Sequence, residues 1–163
     1  MPDIYDALLT GLADGRSDFI YKLKRFNGTL YSGLTSNLSF QLPRISGGVD
    51  ALIDRPNGEM LLRKNGLELY RGAQSNYAFY DGPQNRTLSI SASYFAEETI
   101  HNSIELPVQT IGTDYDGNRR FRIPGNHEFK PLDYLVHKSE SIQIDQIGVF
   151  ISIDGNYMML REL

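Results

Sequence analysis

Three histidines are the first candidates for chemistry in this sequence, because neutral imidazole is a common ligand of zinc. They are His101, His127 and His137. No two of them are spaced to share one face of a helix, so the sequence does not predict that they bind an ion together. We interpret each as a surface or structural residue, and we expect neither a metal nor another cofactor.

The stretch from Glu97 to His101, with the sequence EETIH, contains half of the zinc motif of metalloproteases. That motif places a second histidine four residues earlier, so that both side chains bind zinc from one helix face. Here Glu97 occupies the earlier position, and two ligands cannot form. A solvent-exposed turn is the favoured interpretation.

Asp114, Asp116 and Asn118 alternate around Gly117. Oxygen ligands at alternating positions hold calcium in EF-hand loops, where a glycine follows at a fixed place and a glutamate completes the loop. In this sequence the glycine comes too early, and no acidic residue completes the loop. Asp-Gly-Asn is also good chemistry for a hairpin turn, which is the favoured prediction.

Other enzymatic classes have weaker support. No nucleophile-elbow pattern surrounds a serine, and the absence of cysteine excludes a thiol nucleophile. The two carboxylates of a glycoside hydrolase meet only in the folded chain, so a small hydrolase remains one alternative function. A carbohydrate-binding or host-recognition β-sandwich is the other alternative, although the sequence contains no Trp. We predict that the protein is not an enzyme.

The first sixteen residues are predicted to form a helical arm. Ile4, Leu8 and Leu12 recur at helical spacing, and Asp3 precedes them as a good N-cap. So short a helix is not stable alone, and it must pack on its own β domain or on a neighbouring subunit. These three apolar residues of the arm, residues 1–16, are therefore candidates for a subunit interface.

From Phe19 onward the apolar residues alternate with polar ones, as in β-strands. Three Asn-Gly turns, beginning at Asn27, Asn57 and Asn65, separate the β-patterned segments. The sequence thus predicts an all-β fold, mainly antiparallel, that forms a barrel or sandwich. We expect residues 17–163 to be a single domain, with 94–103 as its one plausible seam.

Arg119, Arg120 and Arg122 form a basic cluster on one predicted strand. Because side chains alternate along a strand, Arg120 and Arg122 share one face while Arg119 points to the other. The cluster is interpreted either as a contact with an acidic neighbouring subunit or as a solvated strand face. It is therefore the second candidate interface.

The overall charge is −4, and basic and acidic residues are interspersed. We therefore predict no specific nucleic-acid binding, which would need a basic patch. No apolar run approaches the roughly 20 residues of a membrane-spanning helix, and no signal peptide is recognisable. We expect no membrane association, and assembly in the cytoplasm.

Three stretches of the sequence resemble the β-barrel tail proteins of tailed bacteriophages, in the distal-tail and baseplate-hub class. They run from Ser32 to Pro43, from Gly72 to Ala92, and from Arg119 through Pro131-Leu132-Asp133-Tyr134 to Glu162. In the last of these, Leu132 stands where hub-like domains have a small residue. The resemblance spans most of residues 30–163.

The resemblance implies a non-enzymatic structural protein of the virion that forms a ring in the tail or baseplate, where the tail tube meets the tip. It implies that the protein binds copies of itself and other tail or baseplate proteins, and that it assembles in the host cytoplasm. Since one barrel per chain suits a sixfold ring, a hexamer is favoured over a trimer. No catalytic residue is implied.

Overall fold

The structure, a computed structural model, describes residues 2–82, 85–95, 101–125 and 129–163, and β-strands dominate it. The strands are β1 (Tyr5–Leu9), β2 (Phe19–Lys22), β3 (Arg25–Tyr31), β4 (Thr35–Pro43), β5 (Glu59–Lys64), β6 (Leu67–Gly82), β7 (Asn85–Phe95), β8 (Ser103–Glu105), β9 (Gln109–Thr113), β10 (Arg119–Pro124), β11 (Tyr134–His137), β12 (Glu140–Ser152) and β13 (Gly155–Glu162). One α-helix, α1 (Gly48–Ile53), lies between β4 and β5. No helix in the described part of the chain has the length and apolarity needed to cross a membrane.

The prediction of a helix in the first sixteen residues is wrong. Tyr5–Leu9 is strand β1, which pairs antiparallel with β2 on one side and with β5 on the other. A short 3-10 turn, Leu12–Asp14, follows it. The run Ala7 to Leu9 is buried on consecutive positions, as in a strand covered on both faces. Such a short apolar run has no period that separates a strand from a helix.

The chain divides into two compact units. Unit 1 comprises the chain up to Phe26 together with Asn37–Tyr94. Its strand order is β2-β1-β5-β6-β7-β4. In its core the rings of Phe26 and Tyr70 are stacked with centroids 6.2 Å apart, and Phe40 meets Phe26 edge-on at 5.0 Å. These aromatic side chains, together with buried leucines of β1, β4 and β5, form the apolar interior of unit 1.

Unit 2 comprises Asn27–Ser36 and Phe95–Leu163. Its strand order is β3-β12-β13-β10-β9, with β11 paired to β12 and the short β8 running parallel to β11. The buried side chains of unit 2 are mostly aliphatic and come chiefly from one face of β10, β12 and β13. The opposite faces of these three strands are consequently available to solvent or to a partner.

The prediction of a mainly antiparallel all-β fold is confirmed. Neither strand order closes on itself among the described residues, so closure into a barrel stays a prediction, as does a single domain over 17–163. One boundary between the units falls between Tyr94 and Phe95, at the start of the predicted seam, and two others fall after Phe26 and after Ser36.

All three Asn-Gly pairs were predicted to form turns, and one of them forms the predicted hairpin turn most clearly. Asn65 and Gly66 connect β5 to β6, and both have positive φ angles, 51° and 82°. Asn57 lies in a turn before β5. Asn27 and Gly28, in contrast, lie inside β3, so the turn predicted there is wrong. Gly28 is buried, and strand pairing prevails over the local turn preference.

Candidate subunit interface

Strand β10 presents two arginines on its solvent side. Phe121 and Ile123 are buried, whereas Arg120 and Arg122 are exposed on the opposite face, which confirms the predicted alternation. In the register with β13, Arg120 lies opposite Arg161, and Arg122 lies opposite Met159. Residues that pair directly across two strands share a face of the sheet. The arginines therefore belong to a surface that continues onto β13.

The surface continues from β13 to β12. Met159 pairs with Gly148, and Tyr157 pairs with Phe150. We call the resulting surface of unit 2 the arginine–aromatic face. It consists of Arg120, Arg122, Gly148, Phe150, Tyr157 and Met159.

An aromatic ladder crosses the arginine–aromatic face. The rings of Phe150 and Tyr157 are stacked with centroids 4.8 Å apart and planes inclined by 16°. The guanidinium of Arg122 lies 4.2 Å from the centroid of the Tyr157 ring, on the next strand. Cation–π contacts of this kind hold an exposed cation in a fixed orientation with a modest gain in free energy.

A depression of about 220 Å³ opens beside the ladder at Gly148. Its walls include Thr29, Arg120, Phe150 and Met159. A Cβ atom at Gly148 would lie 3.0 Å from Cε2 of Phe150, which is too close for an unshifted ring. The glycine thus allows the ring to lie close to β12, and it leaves room that a small apolar side chain can fill.

Arg119 points away from this face and is held within its own chain. Its Nη2 lies 2.7 Å from Oε1 of Glu140 and 2.8 Å from Oε1 of Glu162. The hydrogen bonds from Arg119 hold the pKa values of both carboxyls below their usual range. Arg119 therefore ties β10 to the beginning of β12 and the end of β13, and an interface role for it stays a prediction.

Arg161 shares a face with Arg120 but has acidic partners. Its guanidinium contacts the carboxylates of Asp114, Asp116 and Asp145. Burial raises the pKa of Asp114, but hydrogen bonds from Arg161 and from the backbone N–H of Asn118 outweigh it and hold that pKa below its usual range. The charge of Arg161 is thus neutralised locally.

The prediction of a hairpin turn at Asp114 is confirmed. The Gly117 N–H donates to the Asp114 carbonyl at 3.1 Å, and the Asp114 N–H donates to the Asn118 carbonyl at 2.9 Å. The Asp114 carboxylate accepts hydrogen bonds from the N–H groups of Asp116 and Asn118. The acidic side chains of the loop are used to close the turn and to bind Arg161.

The histidines are separated in the chain. His101 is exposed, while the ring of His137 meets the edge of Phe121 at 6.2 Å. His127 and residues 97–100 lie outside the described residues. In the ranges that are described, no three histidine, aspartate or glutamate side chains are grouped so that they could hold a metal ion.

The three N-terminal interface candidates lie in different environments. Leu8 is only 8% exposed, between its strand partners Ile20 and Leu61, so it contributes to the core of unit 1. Ile4 and Leu12 are both exposed. An interface role for these two residues stays a prediction.

Sequence reasoning did not identify a further exposed stripe on α1, which we call the α1 stripe. Asp50, Ile53 and Asp54 point to solvent, with 59% of Ile53 exposed, while Ala51 and Leu52 are buried. The Asp54 N–H donates to the Asp50 carbonyl at 2.8 Å, so the two aspartates are one helical turn apart. The i, i+3, i+4 spacing was the available sequence signal.

The position of α1 in unit 1 is fixed by polar contacts. The Tyr21 hydroxyl donates to the Gly48 carbonyl at 2.6 Å, and burial raises the pKa of this hydroxyl well above its usual value. Buried Arg55 donates to the carbonyls of Ser17 and Ala51. These contacts join α1 and the residue after its C-cap to β2 and to the segment before β2.

No family model matches the chain, and no curated protein matches it in sequence. Solved structures do match its fold. A tail protein from Neisseria meningitidis MC58 superposes with a TM-score of 0.62 at 7% identity, covering 99% of this chain and 96% of that one. The tail protein of prophage MuSo2 from Shewanella oneidensis gives a TM-score of 0.57 at 7% identity, covering 97% and 96%.

A third structure, the E. coli c3393 protein, gives a TM-score of 0.60 at 6% identity and covers 88% of this chain and 73% of that one. It is described as a component of the type VI secretion system with structural similarity to the T4 bacteriophage tail proteins gp27 and gp5. The chain has the fold of phage tail proteins. The resemblance found in the sequence is confirmed at this level.

Among such folds, the arginine–aromatic face is suited to binding another protein. Phe, Tyr, Met and Arg are the residue types enriched in the centres of protein interfaces. All four types lie here on adjacent strands, around a depression, with fixed orientations. The arrangement offers apolar contact area together with two positive charges.

Proposed function

We propose that this protein is a non-enzymatic structural component of the tail or baseplate of a phage-like particle. In the proposal, copies of the chain form a ring where the tail tube meets the tip, and the ring binds other tail or baseplate proteins. Assembly takes place in the host cytoplasm, and the protein ends in the virion. The observation that carries the proposal is the fold shared with two tail proteins over nearly the whole length of both chains.

The number of copies expected in the ring depends on how many β units each chain contains. The expectation of a hexamer rested on one β-barrel per chain, whereas the chain contains two compact β units. Three chains already supply six such units, so a ring of six β units needs only three copies. We therefore propose a closed ring of three or six copies, with rotational closure through one repeated contact.

The mass of the purified protein in solution tests this proposal. Light scattering across a range of concentrations is expected to give one species with three or six times the chain mass of 18.4 kDa. Averaged electron micrographs of that species are expected to show rings with a central opening. A monomer at every concentration would contradict self-assembly, and a compact oligomer without a central opening would contradict the ring.

A further inference from the structure

We propose that the arginine–aromatic face of one copy binds the α1 stripe of a second copy. This inference rests on the proposed function, because it names the contact that closes the ring. It places unit 2 of one chain against unit 1 of the next chain. Each copy would contribute one face and one stripe, so every contact in the ring would be the same.

The receiving surface carries two exposed arginines, Arg120 and Arg122. Among the described residues, no acidic side chain forms an ion pair with Arg120 or Arg122. The third arginine of the same sheet face, Arg161, is neutralised by three aspartates. The two exposed arginines thus leave a local excess of positive charge beside apolar side chains. A partner that carries acidic groups around an apolar group matches this pattern.

The α1 stripe has the complementary pattern. It places an exposed isoleucine, Ile53, next to two exposed carboxylates. No basic side chain in the described part of the chain forms an ion pair with Asp50 or Asp54. Within the described residues, the stripe therefore has no ion-pair partner for its charges, and the same holds for Arg120 and Arg122.

The spacing of the charges also agrees. Arg120 and Arg122 are two residues apart on one strand face, which separates their Cα atoms by about 7 Å. Asp50 and Asp54 are one helical turn apart, with about 6 Å between their Cβ atoms. Both ion pairs can therefore form together. Ile53 then faces the depression at Gly148, where Phe150 and Met159 provide the apolar walls.

The contact is heterologous, because the two surfaces differ and lie on different units of the chain. Heterologous contacts repeat head to tail and give a ring when the rotation closes. Exposed ion pairs add little free energy individually, so burial of Ile53 provides the affinity and the charges provide the orientation.

Charge-reversal variants test the contribution of each of the two surfaces separately. The face variant, Arg120→Glu with Arg122→Glu, and the stripe variant, Asp50→Lys with Asp54→Lys, each place like charges against one another. Each is expected to weaken association at least a hundredfold and to yield monomers. Combining all four substitutions in one chain restores opposite charges and is expected to restore the oligomer. Circular dichroism and thermal melting establish that each variant is folded.

A matched control reverses two exposed lysines of unit 2 that lie outside the face. Lys130→Glu with Lys138→Glu changes the net charge by the same amount as the face variant. This control is expected to keep the mass of the wild-type oligomer. Dissociation of the control would show that overall charge, and not the proposed contact, governs assembly.

Mixing the face variant with the stripe variant shows how many copies the ring contains. The mixture contains an Asp–Arg contact and a Lys–Glu contact, so the two chains alternate around a ring. An even ring of six closes with alternating chains, whereas a ring of three cannot close without one repulsive contact. The mixture is therefore expected to give hexamers if the ring has six copies, and open assemblies if it has three.

The outcomes separate this proposal from the proposed function. If the wild type forms a ring and the face variant keeps it, the contact is wrong and the proposed function stands. If the face variant dissociates while the stripe variant does not, the face binds another segment, and α1 is the wrong occupant. A folded but monomeric fourfold variant also contradicts the contact. A monomeric wild type contradicts both this contact and self-assembly.

Discussion

Two pairs of arginines in unit 2 illustrate two uses of the same side chain. Arg119 and Arg161 are held by acidic residues of their own chain. Arg120 and Arg122, two positions apart on one face of β10, have no ion-pair partner in the described ranges. The first pair joins strands and loops within unit 2, and the second is available for a partner. The alternation of side chains along β10 thus divides the arginine cluster, although its members are close together in the sequence.

The comparison is tested most strongly by replacing Arg161 with methionine. The substitution leaves Asp114, Asp116 and Asp145 without their shared cation, and they repel one another. We expect the melting temperature to fall by about 3–6 °C. Both substitutions are made in the monomeric stripe variant, where the matched control, Arg120→Met on the same sheet face, is expected to change the melting temperature by less than about 2 °C. Equal falls in melting temperature for the two variants would contradict the distinction between Arg161 and Arg120.

Replacing Arg119 with methionine tests how the stability that Arg119 provides depends on pH. The pKa values of Glu140 and Glu162 are lowered by Arg119, so their contribution is present above the unfolded-state pKa, about 4.3, and is lost as the pH falls through the lower folded-state values. Arg119→Met is therefore expected to melt below the wild type at pH 7, with the difference disappearing once the pH lies below the lowered pKa values of the two carboxyls. Thermal melts between pH 2 and 8 measure this, and a difference that persists at low pH would contradict the assignment.

The smallest effect on stability is expected for Ile53→Ser. Because Ile53 is exposed in the single chain, its replacement should leave the melting temperature of the monomeric face variant unchanged. In the otherwise wild-type chain, loss of its burial against Met159 and Phe150 should weaken association about tenfold or more. Ile153→Ser, at the exposed β12–β13 turn, is the matched control. Sedimentation equilibrium measures both, and equal weakening would show that exposed isoleucines act nonspecifically.

Local patterns predicted part of the fold. Alternation predicted the two faces of β10, and positive-φ residues predicted the turn at Asn65-Gly66. The same reasoning was wrong for the first sixteen residues, since only pairing with β2 and β5 makes Tyr5–Leu9 a strand. For that reason, deleting residues 1–15 is expected to unfold part of unit 1, because it would remove a strand that pairs on both sides.

The candidate interface was predictable only in its residue types. The sequence indicated a basic cluster, but the partners of Arg119 are 21 and 43 residues away, and only the folded chain shows them. The aromatic ladder depends on the register of β12 with β13, which the sequence does not specify. The α1 stripe was missed because α1 is short and begins at a pair of glycines, with Gly47 as its N-cap and Gly48 as its first residue, and this pair indicated a break in the chain.

The most direct test of the central claim uses the absence of cysteine from the chain. In the double variant Ile53→Cys with Met159→Cys, a disulfide can join only introduced cysteines whose Cα atoms approach within about 7 Å, and the single variants control for bonds between like positions. Mild oxidation is expected to give a ladder of covalent oligomers on a non-reducing gel, ending at the number of copies in the ring, while each single variant gives no ladder. A double variant that has the mass of the ring in solution but forms no covalent ladder would contradict the proposed contact.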